Sequence, residues 1–198
     1  MRMTGAVFNA AQVRPGQNVA VFGLGGVGLN AVMAARISGA SEIIGIDVNE
    51  TKFPLAAELG CTRTVSALDP KLAEKVKDLT QDGVDFAFEI SGSKVAMASA
   101  NTITRKGGEI VCVGLGASTE MYHYAHAQLV LEEKVFRGSV MGSGVAERDI
   151  PLYLKFFQDG RMPVDRLKSN TIAFDELNLS LDLLNSGAVL RQILLPNR

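Results

Sequence analysis

The run Asn18 to Gly28, NVAVFGLGGVG, constrains this chain more than any other segment. Its apolar half, Val19, Ala20, Val21 and Phe22, has no polar alternation, which is the pattern of a parallel strand covered by helices on both faces. The run then breaks into glycine. Gly23, Gly25 and Gly28 match G-x-G-x-x-G, with a tight turn required at the first, close approach of a pyrophosphate at the second and close helix-to-strand packing at the third. Val27 to Ser38 follows, with Val27, Ala31, Ala34, Ala35 and Ser38 on one helical face. The start of such a helix aims unpaired backbone N–H groups and a positive dipole end at an anion.

Glycine-rich turns are common in α/β proteins, and the sequel is what gives this one meaning. A second strand, EIIGI, ends at Asp47, 19 residues after Gly28, close to the spacing of about 20 expected of a ribose-binding acid. A carboxylate at that strand tip accepts from both ribose hydroxyls and repels a 2′-phosphate, which favours NAD over NADP. The competing reading makes Asp47 a cap for the next helix, because Asn49, Glu50 and Thr51 follow it. The ordered succession of strand, glycine loop, helix, strand and acid weighs against that reading.

With 198 residues, 47% of them apolar, the chain has room for one large domain, or for one domain and an appendage. A net charge of −1 without a basic stripe gives no reason to expect a nucleic-acid or anionic-membrane partner. Cys61 and Cys112 are far apart and read as reduced structural thiols, which implies a cytoplasmic setting. GAVF near the N-terminus is too short for a signal peptide, and no segment approaches the roughly 18 apolar residues of a membrane span.

Strand-like and helix-like segments alternate for most of the chain, predicting a doubly wound Rossmann sheet of six parallel strands in the order 3-2-1-4-5-6. A helix over Lys52–Leu59 ends at Gly60, and a short strand follows near Thr62–Val65. Asp69 and Pro70 open a helix through Leu79, and Gly83 releases the strand VDFAFEI. A helix near Lys94–Ile103, a turn at Gly107-Gly108, the strand EIVCVG, a polar crossing and a sixth strand near Val135–Met141 complete the unit. Residues 1–141 are thus expected to form the nucleotide-binding domain and residues 142–198 a tail. The tail carries helices near Asp149–Phe157 and Glu176–Leu184, the latter capped by Asp175, a short strand near Thr171 and a final strand VLRQILL.

Four segments, GLGGVGLNAVMAARISGASEIIGIDVNETKF, GVDFAFEISG, GGEIVCVG and SGAVLRQILL, resemble the coenzyme-binding half of zinc-dependent medium-chain alcohol dehydrogenases in order and spacing. The resemblance runs over nearly all 198 residues. Quinone and enoyl reductases of that superfamily more usually carry alanine before the paired glycines and no acid at strand two, so Leu24 and Asp47 point to the alcohol dehydrogenase branch. The resemblance implies that Gly23, Gly25, Gly26, Val27 and Gly28 form the pyrophosphate loop, with Val27 beneath the nicotinamide ring. It implies that Asp47 holds the ribose and that Lys52 hydrogen-bonds it. Ile90 and Ser91 then edge the groove, and backbone groups of Val113, Ser139 and Met141 hold the carboxamide. Thr4 would contact the nicotinamide and Arg191 would reach the pyrophosphate. Without the resemblance, Arg191 reads as an ordinary exposed strand arginine.

The same resemblance implies a further domain ahead of this one, with zinc only in the complete parent enzyme. A cysteine ligand would fall just before Met1. The chain alone is expected to bind NAD weakly and to lack alcohol dehydrogenase activity. The family also implies a homodimer joined along the edge strand near Val135–Met141, and an exposed edge invites such pairing.

No other chemistry stands out. His123 and His126 lie three apart and supply two ligands where zinc needs at least three. No Ser-His-acid constellation is evident, Ser91 reads also as a turn residue, and nothing near Tyr122 or Tyr124 would lower a phenol pKa. A stand-alone NAD-sensing module and a zinc-free NADPH-dependent reductase domain remain as alternatives. Against the module, Leu177, Leu179, Leu181, Leu183, Leu184, Ile193, Leu194 and Leu195 leave the tail apolar, as if shaped for another domain or subunit.

Overall fold

The structure, a computed structural model, describes residues 2–196. Six parallel strands form one sheet: β1 (Val19–Phe22), β2 (Ile43–Asp47), β3 (Arg63–Ser66), β4 (Val84–Glu89), β5 (Thr104–Cys112) and β6 (Val135–Gly138). Their order is β3-β2-β1-β4-β5-β6, the order expected from the sequence. β1 is buried along its whole length because alternate residues enter two cores. Val19 and Val21 pack on one face of the sheet, Ala20 and Phe22 on the other. That is why the segment shows no polar alternation.

Helices cover both faces. α2 (Gly26–Ile37) buries Leu29, Ala31, Val32, Met33, Ala34 and Ala35, so small residues let it lie close to β1. α3 (Phe53–Leu59) packs beside it. α4 (Leu72–Thr80) and α5 (Lys94–Ile103) cover the opposite face through Leu72, Val76, Ala100 and Ile103. Strand order reverses between β1 and β4, the position at which open α/β sheets part their loops and bind ligands.

Several boundaries differ from expectation. β5 begins at Thr104, before the glycine pair, and the register against β4 jumps from Val84↔Thr104 to Phe86↔Glu109. Gly107-Gly108 is therefore an irregularity inside the strand, with Gly107 at φ +69°. β6 ends at Gly138, short of Met141, because Met141 and Gly142 take positive φ and turn the chain. The polar crossing contains a helix that was not predicted, α6 (His126–Glu132). The N-terminus, for which no element was predicted, forms α1 (Arg2–Gly5) and a π-helical turn over Ala6–Ala10. Met3, Thr4, Ala6 and Val7 are buried there.

The tail holds α7 (Ala146–Gln158), β7 (Asn170–Ile172), α8 (Leu177–Asn185) and β8 (Gln192–Leu194). β7 and β8 pair in parallel as a separate two-stranded sheet, so the final strand covers less of VLRQILL than expected. Asp175 does not cap α8. It lies within a 3-10 turn, Phe174–Glu176, where Glu176 accepts from the Ala173 N–H at 2.8 Å. α8 buries Ser180 and leaves Leu179 63% and Leu181 53% exposed.

Asp149 fastens α7 to the N-terminal segment. Its carboxylate pairs with Arg148 at 2.6 Å and accepts from Asn9 Nδ2 at 2.9 Å and from the Val145 N–H at 3.0 Å. Arg148 first, then Asn9 and the Val145 amide, hold its carboxyl down to about 2. The folded value lies below the unfolded one of about 4, so this stabilisation is present above pH about 4 and is lost as pH falls through about 2. Urea midpoints for the wild type and Asp149→Asn should therefore differ near neutrality and converge across that acid window. A constant difference would show that Asp149 contributes nothing by its charge.

Candidate dinucleotide cleft

The cleft opens at the carboxyl ends of β1, β2 and β4 and encloses about 560 Å³. Gly23, Gly25, Gly26, Val27 and Gly28 form one wall. Gly23 turns the chain at φ +96°. Gly25 is extended at the N-terminus of α2, and no side chain caps the helix there. The first amides of α2 are thus left for an external acceptor, as a bound phosphate requires. A Cβ on Gly25 would meet nothing within 4 Å, which leaves a ligand open access to this backbone.

Asp47 stands across from the loop, 5% exposed. Removing a carboxylate from water costs several kcal/mol unless donors replace the hydration. Here the Leu24 N–H donates to Oδ2 at 2.6 Å, the Asn49 N–H to Oδ1 at 2.8 Å, and Lys52 Nζ lies 3.1 and 3.0 Å from the two oxygens. The bond from Leu24 ties the acid to the glycine loop. The helix-cap alternative falls away, because Asn49 accepts from the Thr51 N–H at 3.0 Å and caps the next turn itself.

Of the remaining residues singled out by sequence, Ile90 and Ser91 line the cleft with Lys52. Arg191 is exposed on the tail, with Nη2 3.9 Å from the position of a Cβ on Gly26, and the Leu190 carbonyl oxygen is 3.4 Å from the same point. Gly187 brings the tail near Lys52 Nζ in the same way, at 3.8 Å. The tail therefore crosses the mouth of the cleft. Thr4, Val113, Ser139 and Met141 are not among its walls. Val113, Ser139 and Met141 follow β5 and β6, farther along the sheet, and Thr4 is buried in α1, which packs on the turn Met141–Ser143. The Val113 N–H donates to the Glu89 carbonyl oxygen at 2.9 Å and the Ser139 N–H to the Cys112 carbonyl oxygen at 3.0 Å.

Sequence reasoning missed the apolar side of the cleft. Val48, Leu68 and Val95 line it while 63%, 73% and 68% exposed. The available signal was an apolar residue within two positions of a strand end or a helix cap. It also missed Glu89, a buried acid at the end of β4.

The other candidates have structural settings. His123 and His126 are exposed, and among the described residues no group of three or more His, Cys, Asp or Glu side chains could hold a metal. Tyr122 and Tyr124 pack on Phe136, and desolvation first raises both phenols. Burial pushes the Cys61 thiol up to about 12, and burial, then Glu89, raises Cys112, so both are poor nucleophiles. No helix among the described residues is long and apolar enough to cross a membrane.

The zinc-binding dehydrogenase family model matches residues 26–159. Among solved structures, an alcohol dehydrogenase zinc-binding domain protein from Burkholderia ambifaria is 32% identical with a TM-score of 0.94, over 99% of this chain and 53% of that one. Benzyl alcohol dehydrogenase from Acinetobacter calcoaceticus is 32% identical at 0.93, over 98% and 53%. Alcohol dehydrogenase TADH from Thermus sp. ATN1 is 26% identical at 0.87, over 99% and 56%. The chain spans about half the length of these relatives. The glycine loop from Gly26 onward, Asp47 and every strand of the large sheet except β1 fall within the matched residues, and the chain belongs to the zinc-binding dehydrogenase family.

Proposed function

We propose that this chain is the NAD-binding half of an alcohol dehydrogenase-like enzyme, whose complete form moves a hydride between an alcohol or aldehyde and nicotinamide. The observation that carries this reading is the single cleft uniting an uncapped helix N-terminus, the Asp47–Lys52 pair and the overhanging Arg191. When bound, the nicotinamide supplies the hydride chemistry. The chain's own work is to hold it. The amides of Gly26 and Val27, with Arg191, take the pyrophosphate. Asp47 accepts from the adenosine ribose hydroxyls and excludes a 2′-phosphate by charge, and Lys52 turns its ammonium to the same ribose. Val27 supports the nicotinamide face and Ile90 walls the groove; the carboxamide end would extend beyond the cleft, past the ends of β5 and β6, toward Thr4, Met141 and the backbone carbonyl groups of Val113 and Ser139, whose N–H groups are already bonded.

The described residues gather no donor set for zinc, so its ligands in the complete enzyme would come from outside them. The apolar face of α8 would meet a further domain, and β6, at the sheet edge with Val135 exposed, would pair with a second copy. Fluorescence titration of the 198-residue chain should give saturable NADH binding, and purified chain with added zinc should oxidise no ethanol. Absent NADH binding would overturn the cofactor reading. Zinc-dependent turnover would overturn the assignment of half an active site.

A further inference from the structure

Glu89 ends β4 at the middle of the sheet, with 2% of its surface exposed. A carboxylate stripped of water needs replacement donors, and both of those present come from the turn immediately after the strand. Ser91 Oγ donates to Oε1 at 2.5 Å, and the Gly92 N–H donates to the same oxygen at 2.9 Å. The side chain thereby folds its own following turn back upon it. The Glu89 backbone carbonyl takes the Val113 and Gly114 N–H groups at 2.9 and 3.0 Å, which joins this turn to the one after β5. Gly92 sits at φ +72°, and a Cβ there would lie 2.7 Å from the Leu115 carbonyl oxygen. The turn has little room to settle elsewhere.

What it positions is functional surface. Ile90 and Ser91 wall the cleft, and the Ser91 backbone N lies 3.5 Å from the place a Cβ on Gly23 would occupy. Behind them, Glu89, Gly92 and Ser93 line a second cavity of about 150 Å³. The turn is thus a thin partition between two cavities. The Ile90 N–H donates to the Phe22 carbonyl oxygen at 3.1 Å and Gly92 lies against the Leu115 backbone, so the two ends of the turn are fixed by the main chain; between them, the hydrogen bonds to Oε1 hold Ser91 against the glycine loop.

We propose that Glu89 is a positioning residue for the dinucleotide: through Ser91 and Gly92 it holds the Ile90–Ser91 wall at the height that grips the middle of the cofactor, without touching it. This inference rests on the NAD-binding reading above. The Asp47 end is held independently, by Leu24, Asn49 and Lys52.

The experiment compares NADH and AMP binding to the 198-residue chain. Glu89→Leu removes the acceptor, and NADH affinity should fall about tenfold, the scale of one to two hydrogen bonds. AMP, gripped at the Asp47 end, should change less than about twofold. Glu89→Gln keeps an acceptor oxygen and should restore NADH binding to near the wild-type value. Should Glu89→Leu fail to fold, Ser91→Ala removes one donor from an exposed residue and should weaken NADH about threefold, again sparing AMP. Where both variants fold, the double variant should be no weaker than Glu89→Leu alone, because Ser91 acts through Glu89. Equal losses for NADH and AMP, a Glu89→Gln variant as weak as Glu89→Leu, or unchanged NADH binding would each overturn the proposal. A wild-type chain that binds no NADH would overturn the cofactor reading and this inference with it, a result distinct from any variant-specific failure.

Discussion

Replacing Gly28 with alanine is expected to cost about 3 kcal/mol of folding stability, the upper range for overpacking, and to abolish NADH binding. A Cβ there would overlap the Gly23 carbonyl oxygen and stand 3.5 Å from Val21 Cγ1. The first neighbour is backbone at the end of β1, so no flexible side chain is available to yield. α2 would have to rise from the sheet, carrying Leu29, Val32 and Met33 out of the core and turning its amides away from the cleft. Gly25→Ala makes a sharp contrast. Its Cβ meets nothing within 4 Å and its backbone is ordinary extended chain, so that variant should fold like the wild type. It should still weaken NADH at least tenfold, because the methyl group occupies the approach of the pyrophosphate. Urea unfolding and NADH titration of both variants check the pair. A Gly28→Ala chain with an unchanged urea midpoint would refute the packing argument, and a Gly25→Ala chain with unchanged affinity would refute the placement of the phosphates.

Asp47→Asn should weaken NADH by about ten- to a hundredfold, the range for losing hydrogen bonds to a charged acceptor. NADPH should gain relative to NADH. In the wild type the carboxylate neutralises Lys52 at 3.0 Å and would face a 2′-phosphate with like charge. With asparagine the charge is gone and Lys52 turns from partner of an acid to partner of a phosphate. Asparagine retains one acceptor oxygen, so the Leu24 and Asn49 amides are not both orphaned and the chain should still fold. Parallel titrations with NADH and NADPH read the selectivity directly. An unchanged ratio would show that Asp47 serves the loop alone and does not choose the cofactor. Preferential binding of NADPH by the wild type would favour the reductase reading.

The contrast between these residues and the missed ones shows where sequence was informative. The placement of Gly23 to Gly28 and Asp47 in one cleft was legible because it depends on local chain geometry: a turn, a helix start and a strand tip at fixed separations. β1 and β2 were legible because a short apolar run bounded by turn residues is what a strand buried on both faces requires, and β4 because Val84, Phe86, Ala87 and Phe88 keep most of that run despite Asp85. α6 was not, since His126–Glu132 leaves Leu129, Val130 and Leu131 largely exposed and carries no cap to mark its start. α1 was hidden by its brevity, and its burial comes from contact with α2 and with Met141–Ser143, both distant in sequence. The early start of β5 was hidden because its first residue pairs with Val84 across a register jump that no local pattern encodes.

Arg191 shows the division most clearly. As a residue it is one more exposed arginine, and its place over Gly26 depends on the pairing of β7 with β8 and on the path of the tail across the cleft. Glu89 is similar: an acid at the end of an apolar strand gives no hint of burial until Ser91 and Gly92 are seen folded back onto it. Strand order, the glycine loop and the acid at the tip of β2 follow from short-range sterics, spacing and the handedness of crossovers, which are written into consecutive residues. Which distant side chain overhangs the glycine loop, which carboxylate ties down the turn after β4, and which leucines of α8 stay exposed follow from the meeting of separate segments. Such meetings are settled by packing of the whole chain, because a contact between residues far apart in sequence leaves no period or spacing to read.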